Sequence, residues 1–118
     1  MGQDLIDLKE KVKNFCEDRD WDQYHNPKDL AIGLSTEANE LLDLFRFKTE
    51  LQLRDMLHDS KKRERISEEL ADVLFFLLRF SQMYDFDLEK ALDDKIEKNN
   101  MKYPIDKSKG KNDKYTEI

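Results

Sequence analysis

From Val73 to Leu78 the chain reads Val-Leu-Phe-Phe-Leu-Leu, directly after Ile66-Ser-Glu-Glu-Leu-Ala-Asp72. A helix through this run is apolar on every side, so it has to lie at the centre of whatever the chain folds into. Glu69 and Asp72 sit one turn upstream, three residues apart, where a helix brings both side chains onto one face. They also lie four residues before Val73 and Phe76, close to the apolar surface. A carboxylate there is costly unless it is paired, hydrogen-bonded or bound to a metal.

The same conflict recurs earlier. Leu30, Leu34, Leu41 and Leu44 mark one helical stripe, and the position that completes its spacing is Glu37, with Glu40 three residues on. An acid stands where the pattern calls for leucine. Two helices that each put two carboxylates at the core edge can form one four-carboxylate cluster. Among 27 acids, pairs three apart recur in several places, and most must be solvated helix faces. What separates 37/40 and 69/72 is their place beside apolar stripes. With one cysteine and two histidines in the chain, such a cluster suits a hard cation, Mg²⁺ or Mn²⁺. A di-iron bundle wants Glu-x-x-His from two helices, and only Asp55-x-x-His58 comes near it.

The 118 residues include 3 Gly and 2 Pro, with 41% charged and 38% apolar side chains. That balance predicts an all-α chain: a single domain over residues 1–104 and a Lys-rich tail over 105–118. Leu5, Leu8, Val12 and Phe15 set a first helix over about 3–18, with Cys16 on its buried stripe. Asn26-Pro27 starts a second helix that runs to about Phe47. Leu51, Leu53, Met56 and Leu57 suggest a short helix, and Asp59-Ser60 a break or cap. The central helix runs to about Tyr84, and a last one, marked by Leu88, Leu92 and Ile96, ends near Met101 before Pro104. The expectation is a bundle of four to five helices whose apolar centre is completed by self-association, as a homodimer or homotetramer.

A net charge of −6 argues against DNA, RNA or acidic membranes as partners. The sequence shows no run long enough to span a membrane and no signal-peptide pattern, so a cytoplasmic protein is expected. Carboxylate-bound magnesium commonly shares its shell with substrate phosphates. The cations such phosphates need lie after Asp94: Lys95, Lys98, Lys102, Lys107, Lys109, Lys111 and Lys114. Lys98 reads as a surface residue. Trp21, with Tyr24 and His25, is a candidate platform for a nucleobase; a core role for the Trp is the alternative.

These blocks together resemble a known family. Arg19-Asp-Trp-Asp-Gln-Tyr-His-Asn-Pro-Lys, Glu37-x-x-Glu40, Glu69-Leu-Ala-Asp72-Val-Leu, Asp94-Lys-Ile-Glu-Lys-Asn99-Asn-Met-Lys102-Tyr103-Pro104 and the ending Lys114-Tyr-Thr-Glu-Ile are similar to the MazG-like all-α nucleoside triphosphate pyrophosphohydrolases, nearest to the dCTP pyrophosphatase branch. The resemblance implies Mg²⁺-dependent hydrolysis of a (d)NTP, dCTP or a dCTP-like nucleotide, to the monophosphate and pyrophosphate. It implies that Glu37, Glu40, Glu69 and Asp72 bind the metal, with Glu37 or Glu40 as general base. Lys95, Asn99, Lys102 and Tyr103 would hold the triphosphate and sugar. Trp21 and His25 would lie at the base, with Phe47 opposite and Phe76 near the sugar. Three positions depart from the pattern: Thr36 replaces a glutamate, Phe47 a tryptophan and Phe76 a tyrosine. A dUTP-preferring or broad-specificity enzyme, or a non-catalytic helical module that binds a nucleotide or a partner, are the alternatives.

Overall fold

The computed structural model describes residues 2–118, and all regular structure among them is helical. The order is α1 Gly2–Asp18, α2 Pro27–Asp43, α3 Glu50–His58, α4 Ser60–Met83, α5 Leu88–Lys102 and α6 Ile105–Ser108. Short 3-10 turns occupy Asp22–Tyr24 and Tyr115–Glu117. Two compact units result, Gln3–Asp85 and Phe86–Ile118.

Local chemistry starts each of α2 to α5. Asn26 Oδ1 accepts from the Asp29 N–H at 2.8 Å, with Pro27 at the first helical position. Thr49 and Gln52 form a reciprocal capping box at the start of α3. Asp59 and Asp87 cap α4 and α5 through the Lys62 and Lys90 N–H groups, both at 3.0 Å. Each such cap contributes about 1 kcal/mol. Because Asp59 follows α3 directly, α4 begins at Ser60, so the central helix starts before the stretch that announces it. α2, by contrast, stops at Asp43 rather than reaching Phe47. The chain turns over residues 44–47, and Phe47 takes a left-handed backbone with φ 63°.

Within the first unit α2 and α3 pack on α4. Along α2 only Leu30, Gly33, Leu34, Glu37 and Leu41 are shielded from solvent, which is the predicted stripe with the acid inside it. Among the described residues the buried apolar side chains are few: Cys16, Leu30, Met56, Ile66 and Leu78. Burial pushes the Cys16 thiol pKa up, which makes it an inert core residue rather than a nucleophile. On α4, Leu70, Leu74 and Leu77 are 52%, 40% and 40% exposed and follow one another at helical spacing, leaving an uncovered apolar stripe.

The α2–α4 seam is closest at Gly33. A Cβ built there would stand 2.4 Å from Cε1 of Phe76, far inside contact distance. An edge-on aromatic series extends from that ring, Phe76 to Phe75 to Phe15 to Trp21, with centroids 5.5, 5.8 and 5.6 Å apart.

In the second unit, Pro104 ends α5 and Tyr103 leaves helical geometry, as the sequence predicts. The segment after it turns back on α5. Tyr115 meets Tyr103 edge-on at 6.1 Å, and Lys102 Nζ lies 4.8 Å from the Tyr115 ring centre.

Helix propensity alone says that Gly33→Ala should stabilise α2 by about 1 kcal/mol. The Phe76 contact reverses the sign: urea unfolding of Gly33→Ala should show a loss of about 1–3 kcal/mol. Adding Phe76→Leu should restore part of it, and a stabilised single variant would contradict the packing described.

Candidate metal centre and base platform

Glu37 comes from the seam face of α2, Glu69 and Asp72 from one face of α4. Each presents a carboxylate oxygen, and the oxygens lie within 4.8 Å of one another. Glu69 Oε2 is buried and has no hydrogen-bond partner. A desolvated acceptor without a donor is costly, and a cation bound by the group removes that cost. The donor set is all oxygen, which fits Mg²⁺ or Mn²⁺ better than zinc. Burial, and then the charges of Asp72, Glu69 and Glu40, hold the Glu37 pKa above the usual carboxylate range. Like charges facing a partly buried acid produce that direction without a cation. Glu40 lies outside the group of three, exposed one turn along α2, and acts on Glu37 through its charge.

Trp21 and His25 bracket the 3-10 turn between α1 and α2, with ring centroids 6.3 Å apart. Trp21 is 38% exposed, so one part of its indole packs on Phe15 while another meets solvent. Phe76 sits at the seam against Gly33. Phe47 is 91% exposed, with the Arg46 guanidinium 4.8 Å from its ring centre. A bulky residue held in the left-handed region and directed away from any core is strained without a packing return.

On α5, Lys95, Asn99 and Lys102 recur at steps of four and three and share a face. Asn99 is half-buried and both lysines are exposed. Tyr115 joins Lys102 and Tyr103, a member that motif reading passed over although it belongs to the ending the sequence displays. Arg79 was equally unannounced. It is 1% exposed one turn before the end of α4, donating from Nε to His25 Nδ1 at 2.9 Å, from Nη1 to Gln82 Oε1 at 2.7 Å, and from Nη2 to Asp22 Oδ1. Its signal was the one available for Glu37: a charge placed inside an apolar run.

Residues 32–118 match the MazG-like family. Over 114 residues the chain is 33% identical to dCTP pyrophosphatase 1 of Rattus norvegicus and 32% identical to that of Homo sapiens. Each alignment spans 97% of this chain and 67% of the relative. The crystal structure of a pyrophosphatase from Archaeoglobus fulgidus superposes with a TM-score of 0.77 at 33% identity, covering 83% of this chain and 90% of that one.

Two outcomes follow from the site's energetics. A raised Glu37 pKa favours the fold at pH values below the ordinary carboxylate range, and that contribution is lost as pH rises through the folded value. At pH 7.5 without divalent cation, Glu37→Gln should therefore melt above the native chain and show a smaller melting-point gain with Mg²⁺; equal melting points would contradict the repulsion. Phe47→Gly should stabilise the fold by about 1 kcal/mol by removing left-handed strain. The same substitution should raise KM if Phe47 meets the substrate, so calorimetry and kinetics on one variant test both statements.

Proposed function

The chain belongs to the MazG-like family and is a nucleotide pyrophosphohydrolase, and we propose that it converts dCTP, or a nucleotide much like it, to the monophosphate and pyrophosphate with Mg²⁺. The observation that carries this is the group formed by Glu37, Glu69 and Asp72, with the Glu69 Oε2 atom buried and unpartnered at a helix seam. Glu37, Glu69 and Asp72 hold the metal in this reading, with Glu40 beside them one turn along α2. Bound there, the cation supplies charge neutralisation for the triphosphate and lowers the pKa of the attacking water.

The chain's own groups do the rest. Glu40, outside the group of three, has lone pairs to spare for the proton that the water loses. Lys95, Lys102 and Asn99 take the phosphates, and Tyr103 the sugar; Tyr115 holds Lys102 and Tyr103 in place. Phosphoryl transfer rests mostly on such positioning and charge stabilisation. Trp21 and Phe47 supply aromatic faces for the base, and Phe76 offers the sugar an apolar edge with no hydroxyl. A second copy of the chain covers the Leu70, Leu74 and Leu77 stripe.

Chromatography of products from each common NTP and dNTP with Mg²⁺ tests the reaction. Monophosphate plus pyrophosphate, fastest from dCTP, is the expected result; diphosphate plus phosphate would overturn the bond assigned, and equal rates on all bases the substrate. Glu40→Gln should lower kcat by about 100-fold or more while leaving nucleotide binding in place.

A further inference from the structure

Arg79 is the most deeply buried charged side chain described, and the metal centre does not use it. It reaches from α4 to the turn between α1 and α2, where Asp22 and His25 both receive its donors. Gln82, one turn on along α4, takes a third. Such a guanidinium is satisfied by charge and geometry together, and at the least it clasps that turn to the central helix.

The chemistry of the His25 contact says more. Arginine carries donors and no acceptor, so the Arg79 Nε bond requires His25 Nδ1 to be unprotonated. The ring proton of the neutral imidazole then belongs to Nε2, which becomes a donor and nothing else. Burial and the Arg79 charge both lower the His25 pKa, against a weaker opposing effect of Asp22, which keeps the ring neutral near pH 7. A simple clasp needs only an acceptor, which an Asn, Gln or carboxylate supplies equally well. Histidine adds a second atom of fixed character on the rim of the Trp21 platform.

We propose that Arg79 is a positioning residue that holds His25 in the Nε2–H tautomer, so that His25 meets the nucleobase as a hydrogen-bond donor to a base carbonyl or ring nitrogen. This rests on the function proposed above and deepens it. It makes the base edge at His25 an acceptor edge, such as O2 or N3 of cytosine, and excludes an amino group at that point.

Nitrogen-15 NMR of the imidazole rings tests it on the whole protein, because the chain has 2 histidines and His58→Gln identifies the other signal. At pH 7.5 His25 should show a protonated Nε2 and a bare Nδ1, and in Arg79→Met the two tautomers should mix. KM for the substrate should rise about tenfold in Arg79→Met, the size of one hydrogen bond of about 1.4 kcal/mol, with kcat within about twofold. If Arg79→Met does not fold, the native ring signal and two His25 variants decide. His25→Gln keeps an acceptor for Arg79 and a donor for the base, and should stay within about threefold of the native KM. His25→Glu keeps the clasp but has no donor, and should raise KM about tenfold or more. An Nδ1–H tautomer in the native protein, or equal KM for the Gln and Glu variants, overturns the proposal. Absence of turnover on every nucleotide would instead sink the proposed function and leave the tautomer result standing.

Discussion

Everything in the first unit depends on how α2 and α4 come together. The seam has to accept three carboxylates at one end and an aromatic ring against a bare glycine at the next turns. These two demands are linked through helical spacing: Asp72 precedes Phe76 by one turn on α4, and Gly33 precedes Glu37 by one turn on α2. At Gly33 only the Phe76 ring stands between the helices, because the glycine adds no side chain of its own, and one turn away Glu37 lies within reach of Glu69 and Asp72. A larger residue at Gly33 would spread the helices and with them the carboxylates. Packing and chemistry are therefore one problem here.

The core itself is thin, with few fully buried apolar side chains, and the central helix leaves a leucine stripe uncovered. Into this modest hydrophobic base the fold places like charges, a left-handed phenylalanine and a buried arginine. Each works against stability when taken alone. Their concentration on α2, α4 and the turns that flank α2 is the pattern expected where local rules yield to a ligand. The arginine differs from the others in having a partner at each guanidinium nitrogen, and the acids in carrying one buried oxygen with no partner.

Much of this was legible in the sequence. The Leu30 to Leu44 stripe, the Asn26-Pro27 start, the Asp59 break and the Pro104 stop all rest on local periodicity or capping, which a single chain displays directly. Glu37 was visible because it broke a leucine pattern. The end of α2 at Asp43 was not, since Leu44 and Phe45 continue the periodicity and only the left-handed Phe47 shows that the chain has turned. Gly33 was invisible for another reason: its importance lies in a ring 43 positions away. Arg79 stood in plain view inside the apolar run, but its partners, 54 and 57 positions distant, are set by tertiary structure alone.

The central claim is that acids from two helices form one cation site and that Glu69 belongs to it. Titration of Mn²⁺ onto the nucleotide-free protein, followed by electron paramagnetic resonance, measures it without reference to turnover. The native chain should bind the ion, and a folded Glu69→Gln variant should lose that binding or weaken it by at least about tenfold. Equal Mn²⁺ binding by the two proteins would contradict the account at its foundation.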